Sequence, residues 1–366
     1  MPEEIGLGPK ATQASENRCR PQTHSRGKFS KGERMFRNTH SRSLTEFATL
    51  FLVACCIGAT ASAASPKSPS LFAPGVISGP ANDLSPAFTP DGRTVFFTRS
   101  NASYSFVLVS HRNGDTWSNP GIAPFSGRWK DLEPTMSPDG SFLIFVSNRP
   151  SAEGKGPLDG VFNGKTYPGG GGNLWRVDRH GDRWSEPVCL PASINSSSAV
   201  FSPSIAGDGS LYFMQADQSS GTFHLFRSSY QTGTYQAPLK MALGDATTEE
   251  VDPAVAPDES FIVYSSRHPQ QHDKNRLHIA FRQPAGWGNP IDLGDIVNEQ
   301  GSNIEARLGP DRRTLYFSTN TVPPASPAPT PAEALKVLQE MQVWANDNEN
   351  IWYVSLAAWL DEHPGR

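Results

Sequence analysis

Over most of this chain apolar residues fall in short dense runs, not in helical stripes. Phe142 to Val146 is one such run, of the length and composition of a strand buried on both faces. It follows Pro138-Asp139-Gly140, a tight-turn sequence: Pro presets φ, Asp caps its own backbone and Gly accepts positive φ. Before the turn lies Asp131 to Met136, a second short strand. This strand–turn–strand unit recurs. Pro86 to Ser100, Pro203 to Gln215, Pro253 to Arg267 and Ala306 to Asn320 align with it on one Pro-x-x-x-Pro-Asp-Gly frame. The turn consensus is broken at Gly207, Glu259 and Arg312.

A second signal follows each copy. Trp117, Trp184, Tyr235 and Trp287 each stand three residues before Pro120, Pro187, Pro238 and Pro290, with an apolar strand upstream. Each unit therefore holds four strands, with the Pro at an outer edge where a missing N–H does no harm. Self-similar four-stranded units of about 40–50 residues predict a β-propeller. The fifth copy ends at Asn350 to Ser355 and lacks the aromatic-x-x-Pro segment. Leu71-Phe72-Ala73-Pro74 precedes the first copy at nearly the same spacing, so it is expected to complete the last blade and close the ring. The expectation is an all-β fold of five blades, each a four-stranded antiparallel sheet; a degenerate sixth blade is the alternative.

The repeat resembles the TolB-like, WD-like β-propeller family of bacterial envelope proteins. The resemblance covers about Leu71 to Ser355 and is carried by the turn frame, by Asn289 to Gly294 followed by Ile304 to Asn320, and by Gly169 to Gly172 leading into Asn173-Leu174-Trp175. Members of that family usually have six blades. The resemblance implies a fold and an envelope location; propellers host binding, scaffolding and catalysis alike.

Charge narrows the function. The chain's net charge is −4, yet residues 1–63 carry nine Lys/Arg against five Asp/Glu, so the rest stands near −8. Nucleic-acid binders show the opposite balance. Residues 1–63 read as a basic leader and signal peptide. Phe47 to Ala59 is an apolar stretch too short to span a bilayer, and Ala61-Ser62-Ala63 supplies small residues for cleavage. Met35 is an alternative start that gives an ordinary leader length. Leu52-Val53-Ala54-Cys55 is a rival lipobox that would lipidate Cys55 and anchor the protein to the membrane. Either way the body is expected in the periplasm or outside the cell. Cys189 is the single Cys of the body, so no internal disulfide is available and Cys189 reads as a small hydrophobe.

Residues 64–70 read as a linker and 71–366 as the propeller, with insertions at 150–172 and 321–349. The first holds eight glycines, shows no periodicity and predicts a mobile loop. The second opens Pro-rich and then signals a helix, with Thr330 as N-cap, Pro331 at the first position and Glu333 closing a capping box. Leu335, Leu338, Met341 and Trp344 form an apolar stripe expected to pack on the helix's own blade, a lid or partner contact being the other reading. Both insertions link second to third strands, which places them on one face, around the mouth of the central channel.

The candidate site lies at the entry to each innermost strand. Ser85, Glu133, Ser202, Asp252 and Glu305 precede the aligned Pro or Ala, and strand alternation points all five at the channel mouth. Asp83, Asp131 and Glu250, two residues earlier, would form an outer tier. Such a ring could bind a cationic or polyhydroxyl ligand, or a divalent cation, which takes several oxygens; otherwise it is a solvated channel and the chain needs no cofactor. His268, His272 and Asp273 form a weaker loop set. His111, His180, His224 and His278 fit third strands or their hairpins and read as structural. No Gly-x-Ser-x-Gly elbow occurs, and Gly169 to Gly172 precedes a strand, not a helix as phosphate loops do. The leading expectation is a non-catalytic binding or scaffold protein holding an envelope protein or small ligand on the loop-rich face. The alternative is a carbohydrate-active lyase or glycosidase using Glu133, Asp252 and Glu305.

Overall fold

The computed structural model describes residues 67–244, 248–267, 274–299, 301–320 and 330–363. The leader, Met35, Cys55, the His268/His272/Asp273 set and the Pro-rich opening of the second insertion lie outside the described residues.

The chain forms a five-bladed β-propeller. The innermost strands are Asn82–Phe88, Asp131–Met136, Val200–Ile205, Glu249–Val255 and Ile304–Leu308. Each pairs antiparallel with the strand across its turn, and that strand pairs with the third of its blade. The Pro of the aromatic-x-x-Pro motif splits the outer edge in blades 1, 2 and 4. In blade 1, Thr116–Trp117 and Gly121–Ile122 are separate two-residue strands that both pair with Ser105–Asn113. Short, interrupted edges of this kind resist pairing with other chains.

Closure runs as the repeat predicts. Ser70–Leu71 pairs with Asn350–Ser355 through Ser70↔Tyr353 and Leu71↔Trp352, so the closing strand begins one residue inside the expected linker. The Phe72 N–H then donates to the Ile351 carbonyl at 2.8 Å. Phe72 makes edge contacts with Phe88, Trp117, Tyr316 and Tyr353 at centroid distances of 5.2–6.0 Å. It thus plugs the seam between blades 5 and 1. Ser78 Oγ donates to the Ile351 carbonyl from farther along the same segment.

The core is divided among five apolar clusters in the described residues, one at each blade–blade seam. The aromatic of the aromatic-x-x-Pro motif serves these seams: Trp184 meets Phe96 of the preceding blade edge-on at 5.4 Å. Cys189 is half-buried beside the same cluster, with the Asn195 amide 3.5 Å away. At the turns, Gly92, Gly140 and Gly209 take positive φ. Glu259 and Arg312 adopt the same left-handed conformation, with φ of 56° and 57°, so the broken consensus changes the residue and not the turn.

The first insertion corrects an expectation. It is not a structureless loop: Gly160–Phe162 pairs with Lys165–Tyr167 in a hairpin. The hairpin packs across blade 3, with Phe162 over Phe223 at 5.7 Å and the Asn163 N–H on the Gln218 carbonyl. The glycines are required by close approach. A Cβ on Gly172 would lie 2.3 Å from the Phe201 ring, and one on Gly171 would lie 2.8 Å from the carbonyl oxygens of Leu158 and Asp159. Strands of three residues are too short to show a period, which is why the pattern was silent there.

Candidate functional site

The five residues at the strand entries do converge. Ser85 Oγ donates to Glu305 Oε2 at 2.7 Å. The Glu305 N–H donates to Asp252 Oδ2 at 2.9 Å, and the Ser202 N–H to Glu133 Oε2 at 2.5 Å. The Glu133 N–H in turn donates to Thr98 Oγ1 of blade 1 at 2.8 Å. Each blade is thereby stitched to another around the axis.

Their geometry differs from plain alternation. Ser85, Glu133, Ser202, Asp252 and Glu305 all take left-handed backbone, with φ between 48° and 57°. In the four pairings of blades 1, 3, 4 and 5 and in that of blade 2, the register shifts across this residue, as between Leu84 and Ala87. A β-bulge here re-aims one side chain toward the axis. Non-Gly residues resist this conformation by about 1–2 kcal/mol each, so the ring's hydrogen bonds offset a strain that occurs five times.

The ring is sealed, which corrects the solvated channel mouth. Exposure is 0% for Ser85 and Ser202 and 4–7% for Glu133, Asp252 and Glu305. The seal is Arg307, 4% exposed, a residue not anticipated from the repeat. Its Nη2 donates to Glu305 Oε2 at 2.9 Å, and both Nη atoms lie 3.3–3.4 Å from Ser202 Oγ. The signal was present in the aligned frames. Where blade 5 has Arg307, the other blades have Ala87, Thr135, Ser204 and Ala254, so one long cation stands in a column of small residues. A cavity of about 190 Å³ does lie near the axis, but on the face of the Pro-Asp-Gly turns. Phe88, Met136, Ile205, Val255 and Leu308 line it together with Arg307.

Burial dominates the electrostatics. It pushes Asp252 up to about 7, with Glu305 adding repulsion. It raises Glu133 well above the carboxylate range, reinforced by Glu305 and Asp252. Glu349, at the end of the second insertion, is another residue the repeat did not reveal. Burial and nearby Glu305 push it to about 7, and its Oε2 is sequestered without a partner. Its carbonyl accepts from the Asp83 N–H at 2.8 Å, which fixes it over the blade 5–1 seam.

The expected outer tier does not join the ring. Asp83, fully buried, takes Arg99 Nε at 2.6 Å and the Gly79 N–H at 2.7 Å. Asp131 takes Arg149, Ser147 and Ser126. Glu250 is buried near Lys240 and is pushed to about 8 by desolvation. The bulge explains the separation: it turns only the residue beside the Pro, leaving the earlier acid aimed at its own sheet. Asp83 and Asp131 are structural clamps. Of the histidines, His278 contacts Ser266 Oγ and stacks on Tyr264, and His111 contacts Thr94 Oγ1.

Among the described residues, no group of three or more His, Cys, Asp or Glu side chains is gathered so as to hold a metal ion. One oxygen of each ring carboxylate, Glu133 Oε2, Asp252 Oδ2 and Glu305 Oε2, accepts from an N–H, hydroxyl or guanidinium donor, and Asp252 Oδ1 is buried without a partner.

The two insertions share the strand-entry face, as expected. Asn148 Nδ2 donates to the Gly169 carbonyl, while its Oδ1 accepts from the Lys130 N–H. Asn348 Nδ2 reaches the Pro80 carbonyl, and the Glu349 N–H reaches Asn82 Oδ1. The helix Pro331–Val343 stands at this face with its predicted capping box formed, Thr330 Oγ1 accepting from the Glu333 N–H. Of its apolar stripe, however, Leu335, Leu338 and Met341 do not pack on the blade, while Trp344 does. Leu335, Val337, Leu338 and Met341 are 45–57% exposed, and no residue of the helix is buried. Attachment comes from its end: Trp344 meets Trp352 at 6.2 Å, and Val343 reaches Gly75.

No family model matches the chain, and no curated protein matches it. Similar solved structures include a putative TolB from Agrobacterium tumefaciens, at 13% identity and a TM-score of 0.42, covering 66% of this chain and 70% of that one. TolB from Acinetobacter baumannii is similar at 13% identity and 0.41, covering 65% and 49%. An α-L-arabinofuranosidase from Lactobacillus brevis is similar at 12% and 0.47, covering 78% and 92%.

Proposed function

We propose that this chain is an exported, non-catalytic binding protein of the bacterial envelope, which holds a protein partner on its loop-rich face. The observation that carries the reading is the surface helix. A capped, ordered helix that leaves Leu335, Val337, Leu338 and Met341 about half exposed presents contiguous apolar surface on a rigid scaffold. Such surface marks interaction sites. The sealed ring supports the same reading. Glu133, Asp252 and Glu305 are buried acceptors that stitch blades together, an arrangement suited to holding the ring of blades shut and ill suited to meeting a sugar polymer. Location in the envelope rests on the leader read from the sequence.

Capture from envelope fractions tests this with three baits. Wild type and a Glu133→Gln variant are expected to retain the same partner. Leu338→Glu is expected to release it while keeping the wild-type melting profile. Retention by Leu338→Glu, or turnover of a polysaccharide that Glu133→Gln abolishes, would overturn the reading.

A further inference from the structure

We infer that the surface helix docks a basic amphipathic segment, one that carries Lys or Arg along one side of an apolar stripe. This inference rests on the helix being the binding element and adds the chemistry of its occupant. Ala334, Val337, Leu338 and Met341 recur at the i, i+3, i+4, i+7 spacing of one helical face. The two flanks of that face differ. Glu333 and Glu340, seven residues apart, lie along the edge beside Val337; Gln339 and Gln342 lie along the edge beside Leu335. Just past the helix comes the exposed Asp347. From 331 to 347 the chain has three carboxylates and one cation, Lys336. Lys336 pairs with Glu340 at 3.7 Å while remaining 75% exposed, so it screens that acid only in part.

An apolar face with one acidic and one amide edge selects its occupant by charge. A partner with acidic flanks meets like charge, whereas a basic flank meets Glu333 and Glu340. Opposite-charge complementarity at an interface rim sets partner choice and speeds association. The same acidity argues against a membrane, because interfacial helices bind anionic lipid through basic faces.

The test uses the mature protein and two synthetic amphipathic peptides of identical leucine pattern, one with lysine and one with glutamate at its polar positions. Fluorescence anisotropy is expected to show the lysine peptide binding about tenfold or more tightly than the glutamate peptide, with the gap shrinking at high salt. Leu338→Glu is expected to abolish binding, and Glu340→Gln to weaken it about two- to fivefold. Equal binding of both peptides, sensitive to Leu338→Glu, would overturn the charge inference and leave apolar docking standing. Lysine-peptide binding untouched by Leu338→Glu would overturn both. Preference for anionic phosphatidylglycerol vesicles over either peptide, or no binding of the lysine peptide, would also overturn the inference.

Discussion

Arg307→Met removes the one cation of the axial ring and keeps a long apolar stem. The Arg307–Glu305 pair is 2.9 Å apart with side chains 5% and 9% exposed, so solvent cannot replace the lost partner. Breaking a buried pair on one side costs about 3–5 kcal/mol, against a total of about 5–15 kcal/mol for a domain. The cost should depend on pH. Burial raises Asp252 to about 7, and Glu133 is raised well above its ordinary range. A carboxylate raised on folding leaves stability intact below its unfolded pKa, and that stability is lost as pH rises through the folded one. At pH 5.5 Asp252 therefore holds its proton, so losing Arg307 leaves one negative charge fewer in the ring. At pH 8.5 Asp252 is ionised and the variant must bury that charge with no cation in the ring. Urea melts of wild type and variant at both pH values read this directly. The expected loss is about 4 kcal/mol at pH 8.5 and smaller by about 2 kcal/mol at pH 5.5. An equal loss at both pH values, or a loss under about 1 kcal/mol at pH 8.5, would refute the reasoning.

Three further perturbations probe the scaffold. Wild-type stability should fall as pH rises from 5 to 8, and Asp252→Asn should flatten that slope in urea midpoints, since a group near 7 no longer titrates. Phe72→Ala empties the aromatic plug of the closing seam and should cost about 3–5 kcal/mol, with faster proteolysis near residue 70. Gly172→Ala forces a Cβ to within 2.3 Å of the Phe201 ring and should lower stability by about 1–3 kcal/mol in thermal melts; a neutral result would mean the end of the first insertion does not pack tightly on Phe201.

Most of the fold was legible because turns advertise themselves. Pro138-Asp139-Gly140 and its relatives fix where strands reverse, and Trp184 or Tyr235 marks each outer edge, so five units could be counted without a contact map. Ring closure was legible from the one unit that lacked its edge. The ring's position followed from spacing, but its conformation did not. Nothing local in Ser85 or Glu133 announces left-handed backbone, and alternation fails at a bulge. Hence Asp83 and Asp131 were grouped with a ring from which their own arginines separate them. Arg307 and Glu349 were missed for different reasons. The first departs from its column in one blade alone; the second reaches the blade 5–1 seam from a 29-residue insertion, where no frame applies. The helix was predicted down to its capping box, while its packing was not. A 3.6-residue stripe states that one face is apolar and does not say whether the molecule itself will cover it.

A photo-crosslinking residue placed at Leu338, in cells of the native host, tests the central claim most directly. Surface docking predicts one discrete adduct from Leu338, still formed when Glu133 is changed to Gln and absent from the same probe at Asp208 on the opposite face. An adduct at Asp208 but none at Leu338 would contradict the account, moving the working surface to the turn side of the ring.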